Sequence, residues 1–152
     1  MIVYIINCSY KMSRRSKSSF CLFCGKEFHA HYTSFGKYCS LDCQHKLLTK
    51  LEIEKWLAGK DNPINTNGLL RPWARKYLFK LFNNKCCLCG WGEMNKTTGK
   101  IPLEVDHIDG NFKNNKIDNL RLLCPNCHSL TSNYKNLNKG RGRSNRKRVE
   151  VK

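Results

Sequence analysis

One stretch of the chain, residues 103–131, carries side chains suited to acid–base and metal chemistry. It reads LEVDHIDGNFKNNKIDNLRLLCPNCHSLT, with an Asp-His pair at Asp106 and His107, an asparagine at Asn119 and a second histidine at His128. A neutral imidazole can accept a proton near pH 7, and a carboxylate and a further imidazole can hold a divalent cation. This combination of a base, an amide and two metal ligands suits metal-assisted cleavage of a phosphodiester.

Two Cys-x-x-Cys pairs bracket this chemistry. Cys86 and Cys89 lie upstream, and Cys124 and Cys127 lie just before His128. Their spacing predicts a tetrahedral zinc site that holds together a loop-rich unit with little core of its own. Cys87 is left over, and we expect it to be buried as a small apolar residue.

The same residues allow structural interpretations. His128 adjoins a cysteine and could replace one in the zinc site, His107 could be a structural ligand, and Asp106 could cap a turn. Arg121 is either a phosphate contact or a solvated strand residue. We interpret the amide-rich loop between the two short strands as a connection, with four polar residues as loop residues: Asp109, Asn111, Asn114 and Asn115.

A second cysteine set lies nearer the amino terminus. Cys21 and Cys24 form a Cys-x-x-Cys-Gly turn, and Cys39 and Cys43 are spaced for the first turn of a helix, which predicts a second four-thiolate zinc site. Three histidines are alternative ligands, although four thiolates already complete the site: His29, His31 and His45. Aromatic residues between the pairs are expected to form a small core: Phe23, Phe28, Tyr32, Phe35 and Tyr38.

Periodicity and turn residues predict the elements that position these groups. We expect helices over 44–57 and 71–83, strands over 103–108 and 120–123, and a helix that begins at Pro125. The chain then divides into a basic tail (1–20), a zinc finger with a helix (21–59), a linker (60–70), a chemical domain (71–134) and a disordered basic tail (135–152). The fold class is small α+β, stabilised by zinc.

The charge indicates a polyanionic partner. The net charge is +17, from 28 basic and 11 acidic residues, and the basic excess is concentrated in both tails. Such a distribution is typical of nucleic-acid binding. Within the carboxy-terminal tail, Lys139, Arg141 and Arg143 are candidate phosphate contacts.

Cysteine usage and the amino terminus bear on the compartment. Cysteines in Cys-x-x-Cys pairs, without a convincing secretory signal, favour zinc binding in a reducing cytosol over disulfides. We find no membrane-spanning pattern and no pattern that indicates an obligate protein partner. Met12 opens a basic segment and is an alternative start to Met1.

The run DHIDGN…NLRLLCPNCHSLT resembles the HNH endonuclease family. The upstream segments WLAGK, RPWARKYLF and GKIPLEVDHIDGN, and the tail SNYKNLNKGRGR, resemble phage-type members with an amino-terminal zinc finger. The resemblance implies a ββα-metal (His-Me finger, treble-clef-like) domain over 71–134, preceded by the finger module and helix. It further implies double-stranded DNA as the partner, and bacterial cytosol or a phage-infected host cell as the location.

The resemblance also implies roles for individual residues. His107 would be the general base, Asn119 would anchor the loop that holds it, and Asp106 and His128 would bind one catalytic cation. Magnesium is expected, with manganese or another divalent ion also admitted, beside two structural zinc ions.

Two functional hypotheses follow. The first is a metal-dependent endonuclease that nicks or cuts duplex DNA, as in homing endonucleases. The second is a non-catalytic zinc-finger protein that binds nucleic acid and carries a decayed or unused site. A nuclease that processes RNA is a third, weaker option.

Overall fold

The computed structural model describes residues 18–29 and 36–137. The chain divides into two compact units, Met1–Lys50 and Leu51–Lys152, and the division falls inside a helix. No helix within the described ranges combines the length and the apolar character that a bilayer crossing requires.

The first unit is a short hairpin followed by a helix. Strands β1 (Ser18–Phe20) and β2 (Glu27–His29) pair antiparallel, with Ser19 opposite Phe28. Residues 18–20 were expected to belong to the basic tail, but the ladder to β2 orders their backbone. Helix α1 spans Leu41–Leu57 and begins earlier than predicted, because the Ser40 hydroxyl accepts the Cys43 backbone N–H at 3.1 Å.

The expected aromatic core of the finger is only partly present. Phe28 and Tyr38 are half-buried, whereas Phe23 is 40% exposed, so its assignment to a core is wrong. Tyr32 and Phe35, with His31, lie outside the described residues. In the described part of this unit, the buried apolar side chains are those of Cys21 and Cys43.

The second unit begins within α1 and includes the expected linker. Helix α1 ends at Leu57 as predicted, and Gly59 follows with φ +68°. Trp56 is 3% exposed and Pro63 is fully buried, and Ile64 forms an isolated bridge with Leu70. The segment expected to connect two domains is therefore part of the second unit, where Pro63 is buried and Leu70 packs against the core.

Helix α2 (Pro72–Leu81) presents one apolar face to this core. Pro72 occupies the first turn, where its missing N–H costs no helical hydrogen bond, and Ala74 and Leu78 are completely buried. Leu81 is 49% exposed because it lies at the end of the helix.

Two strands and a short helix complete the second unit. Strands β3 (Glu104–His107) and β4 (Leu120–Leu123) pair antiparallel, and α3 spans Pro125–Ser129. The register places Asp106 opposite Arg121 and His107 opposite Leu120. A 3-10 helix over Ile117–Asn119 leads into β4. The leucines of β4 pack with Leu78 of α2 and with Leu103, so an apolar core lies next to the polar residues of β3.

Candidate functional site

Asp106 and His128 approach each other beside the paired strands. Asp106 is only 6% exposed, and its Oδ1 lies 3.7 Å from His128 Nε2. Two atoms that each bind one cation at about 2.1 Å can be separated by up to about 4.2 Å, and by about 3.0 Å at a right angle. The separation therefore allows both atoms to contact a single cation.

Arg121 holds the other oxygen of the same carboxylate. Its Nε donates to Asp106 Oδ2 at 2.7 Å across the β3–β4 ladder. The Arg121 side chain is 22% exposed, so it is not the freely solvated strand residue that was one interpretation. The guanidinium neutralises a buried carboxylate and leaves Oδ1 directed toward His128.

Glu104 holds the second nitrogen of His128. Its Oε2 lies 2.7 Å from His128 Nδ1, which leaves Nε2 on the side of Asp106. Tyr134 packs edge-on against the same ring, with centroids 5.3 Å apart. Carboxylates that bind the far nitrogen of a metal-ligating histidine fix its tautomer and orientation. Sequence reasoning assigned no role to Glu104.

His107 is the last residue of β3, and its ring contacts Asn115 of the loop that follows. His107 Nε2 lies 2.9 Å from Asn115 Oδ1, and Asn115 is 5% exposed. Sequence reasoning treated Asn115 as an ordinary loop residue. No local pattern separates it from Asn111 and Asn114, because its partners Asn62 and Trp56 are distant in sequence.

Asn119 joins the start and end of the loop that follows His107. Its Oδ1 accepts the Asp109 N–H at 3.1 Å, and its Nδ2 donates to Asp109 Oδ1 and Asn114 O, each at 2.8 Å. The hydrogen bond from the Asn114 side chain makes the largest contribution to lowering the pKa of Asp109, although burial opposes it. Hydrogen bonds from the Asn111 N–H and the Asn119 side chain lower the pKa further. Asn119 therefore contacts the loop, whereas Asn115 contacts the imidazole.

Comparisons with known proteins find a similar family over this part of the chain. A model of the HNH endonuclease family matches residues 94–129, which include Asp106, His107, Asn119 and His128. Residues 94–129 are therefore similar to the HNH endonuclease family. The H-N-H endonuclease F-TflIV of Escherichia phage T5 is 51% identical over 61 residues. That alignment covers 38% of this chain and 25% of the phage protein, so the chain spans about a quarter of its relative's length. No solved structure matches the chain.

Four cysteines, two of them within the matched residues 94–129, form a tetrad in the second unit. Cys86, Cys89, Cys124 and Cys127 place their sulfurs within 4.8 Å of one another, and the Cys89 and Cys124 sulfurs are 3.8 Å apart. Sulfurs bound to one zinc at about 2.3 Å in a tetrahedron lie about 3.8 Å apart. The four thiols form this set without His128, whose ring faces Asp106 and Glu104 instead.

The tetrad of the first unit has the same geometry. Cys21, Cys24, Cys39 and Cys43 also lie within 4.8 Å of one another, and the sulfur of Cys39 is 3.6 Å from that of Cys24 and 3.4 Å from that of Cys43. Both predicted cysteine sets thus converge on sites that fit a metal ion. His29 and His45 are not members of the set.

The thiols within each tetrad differ in acidity. Burial alone would raise the pKa of Cys21, but N–H groups of neighbouring residues lower it to about 6, and the same balance brings Cys86 to about 6. Hydrogen bonds to neighbouring cysteine sulfurs, chiefly that of Cys43 for Cys39 and that of Cys89 for Cys127, raise the pKa of each of these two thiols to about 12. The lowered pKa favours the thiolate, which is the form that binds metal, at Cys21 and Cys86.

Cys87 differs from its prediction. It is exposed rather than buried, and its N–H donates to Leu122 O at 2.9 Å, which continues the backbone pairing of β4. The other candidate phosphate contacts, Lys139, Arg141 and Arg143, lie outside the described residues.

Proposed function

We propose that the protein is a metal-dependent endonuclease that hydrolyses DNA phosphodiester bonds, with His107 as general base and one divalent cation on Asp106 and His128. The observation that carries this proposal is the 3.7 Å approach of Asp106 Oδ1 and His128 Nε2 next to His107, within a segment of the HNH endonuclease family. The proposal covers nicking of one strand and cutting of both.

The donors at this site fit a divalent cation. One carboxylate oxygen and one imidazole nitrogen leave several coordination positions for water and phosphate, as magnesium prefers, and the imidazole also admits manganese. Arg121 limits Asp106 to a single free oxygen, and Glu104 directs His128 Nε2 toward it. The zinc ions belong in the two cysteine tetrads, whose sulfur ligands are too soft for magnesium.

The residues divide the chemical work as follows. Asp106 and His128 would hold the cation, which would supply Lewis-acid stabilisation of charge on the phosphate and on the leaving 3′ oxygen. The His107 imidazole takes a proton from the attacking water, which makes the water a stronger nucleophile. Asn119 holds the loop that follows His107, so that the backbone next to the base keeps one conformation.

The positive charge supports DNA as the substrate. A net charge of +17 neutralises phosphates, and it predicts an affinity that falls steeply as salt increases. We propose that the finger around Cys21–Cys43 and the basic tails place the enzyme on duplex DNA, while the second unit cuts. A truncation that tests this division should begin at Leu51 rather than after residue 59, because Trp56 belongs to the core of the second unit.

Conversion of supercoiled plasmid to nicked or linear DNA in the presence of magnesium tests the proposal. The wild-type chain is expected to cut, and His107→Ala is expected to bind DNA with unchanged affinity but to cut at least about 100-fold more slowly, because general-base catalysis contributes about that much. His45→Ala is the matched control, since His45 is exposed in the finger.

Two outcomes would separate the competing functions. Cleavage by His107→Ala at the wild-type rate would remove His107 as the base. Tight binding without magnesium-dependent cutting of duplex DNA or structured RNA by the wild-type chain would instead identify a nucleic-acid-binding protein without catalysis.

A further inference from the structure

We propose that Asn115 is a positioning residue that holds the His107 ring with its proton on Nε2, which makes Nδ1 the atom that accepts the proton from water. The inference rests on the proposed function, because it assigns an atom to the general base. It concerns a residue that stands four positions before Asn119 and contacts the ring directly.

The contacts of the Asn115 amide fix its orientation. Its Nδ2 faces three oxygens, Asn62 Oδ1 at 3.1 Å, Phe112 O at 3.3 Å and Lys113 O at 3.2 Å. The opposite orientation of the amide would direct its oxygen at these three acceptors. The amide nitrogen therefore faces the loop, and Oδ1 faces His107 Nε2 at 2.9 Å.

This orientation determines the protonation of the imidazole. An amide oxygen can only accept a hydrogen bond, so His107 Nε2 must carry the hydrogen. In a neutral imidazole with a proton on Nε2, the lone pair lies on Nδ1. A general base needs that lone pair directed at the reacting water, and Asn115 thereby selects both the tautomer and the rotation of the ring.

Asn115 is itself fixed from two sides. The Trp56 indole Nε1 donates to Asn115 O at 2.7 Å, and Asn62 Oδ1 accepts from its side chain. Trp56 is 3% exposed, and its ring packs edge-on against Trp73 and Tyr77, with centroids 5.9 and 5.7 Å apart. The residues at the end of α1 and just after it thus support the base through a single asparagine.

An asparagine suits this position better than an aspartate. A carboxylate could accept from His107, but it has no donor for the oxygens of Phe112 and Lys113, and a buried charge would face them. An amide satisfies the ring on one side and the loop on the other. This reciprocal bonding distinguishes Asn115 from the more exposed Asn111, whose side chain caps Lys113.

Long-range ¹H–¹⁵N NMR of the imidazole, in full-length zinc-loaded protein at a pH where the ring is neutral, tests the inference. The His107 signals are assigned by their loss in His107→Ala. The wild-type ring is expected to carry its proton on Nε2, and that proton is expected to exchange slowly with water. A wild-type ring protonated on Nδ1 would overturn the inference whatever any variant does.

Two variants measure the contribution of Asn115. Asn115→Leu has a similar size without an acceptor, and it is expected to speed exchange of the ring proton and to lower kcat about tenfold while KM for plasmid DNA stays unchanged, the effect of one lost hydrogen bond. Asn62→Ala removes one outer contact at an exposed position, so it preserves the fold, and it is expected to lower kcat about twofold to threefold.

Asn114→Ala is the matched control. This neighbour donates to Asp109 at 2.7 Å rather than to the ring, so the variant is expected to keep the wild-type ring signals. Unchanged proton exchange and kcat in Asn115→Leu and Asn62→Ala would refute the role of Asn115. The NMR result is independent of cleavage, so a protein that fails to cut DNA but shows the Nε2–H signal refutes the proposed function and leaves the assignment of the ring intact.

Discussion

The two cysteine tetrads are nearly the same in chemistry but lie in very different surroundings. Each begins with a Cys-x-x-Cys-Gly turn whose glycine has a positive φ, 71° at Gly25 and 74° at Gly90. Each has one thiol with a pKa lowered to about 6, Cys21 in the first unit and Cys86 in the second. What differs is the apolar core around them.

In the described part of the first unit, the only buried side chains are those of Cys21 and Cys43, whereas the second unit buries a tryptophan and a group of leucines against its tetrad. A metal ion in the first tetrad would therefore be a main source of stability for that unit, whereas an ion in the second tetrad would add to an apolar core. The second unit can also support a polar site whose geometry does not depend on zinc alone.

Loss of zinc from the first tetrad should have the largest effect on stability, and this effect should be confined to the first unit. Cys21→Ser is expected to unfold β1 and β2, because structural zinc contributes about 10 kcal/mol or more to the folding of small modules. Zinc content and amide exchange of the two units would check this. Cys87→Ser, a change at an exposed cysteine outside the tetrads, is the control. A finger that keeps its protected amides after Cys21→Ser would contradict the comparison.

A substitution in the apolar core should instead destabilise the second unit and leave the first unit unchanged. Leu122 is completely buried in β4, and Leu122→Ala is expected to cost about 3 kcal/mol in the free energy of unfolding of the second unit. Urea denaturation followed by tryptophan fluorescence measures this, since Trp56, Trp73 and Trp91 all lie in that unit. Zinc binding by the finger should stay at the wild-type level. If Leu122→Ala also lowered zinc binding by the finger, the two units would not have separate sources of stability.

Removal of the Arg121 side chain should lower the stability by a smaller amount, and a bound cation should offset part of this loss. Arg121→Ala leaves the buried Asp106 carboxylate without its counterion, and we expect a loss of about 2 kcal/mol, less than for a fully buried pair because Arg121 is partly exposed. Magnesium should restore part of the lost stability. Lys46→Ala, which breaks the exposed pair with Asp42, should leave the melting temperature unchanged. A variant that magnesium does not stabilise would argue against a cation at Asp106.

The loop after His107 should show the smallest effect, as a function of pH. The pKa of Asp109 is lowered in the folded protein, so its contribution to stability is fully present above the ordinary value of 3.8 and is lost as the pH falls below it. Amide exchange in residues 110–114 is expected to accelerate at this acidic end. Asp109→Asn should remove that pH dependence, and an unchanged profile would refute the role of Asp109.

Residue spacing predicted both tetrads and the order of β3, β4 and α3, because metal ligands and short amphipathic strands leave local patterns in a sequence. The contacts of Asn115 with Trp56 and Asn62 left no such pattern, since they join segments that lie far apart in the chain. The same reason explains why residues 60–70 were expected to be a linker. The burial of Pro63 and the partial burial of Leu70 depend on residues outside this segment that spacing alone cannot identify.

Arg121 illustrates a second limit. Its place in β4 was predicted, but its partner depends on the register of β3, which pairs it with Asp106. A shift of one residue would turn the side chain to the other face of the sheet. Sequence therefore indicated which residues can do chemistry, while the register determined which of them are neighbours.

The most direct test of the account is the anomalous scattering of a crystal of the full chain grown with zinc and soaked in manganese. We expect a manganese peak bonded to Asp106 Oδ1 and His128 Nε2, with zinc in both tetrads and His107 free of metal. A manganese ion bound through Glu104 and His128 Nδ1, or no manganese near Asp106, would contradict it.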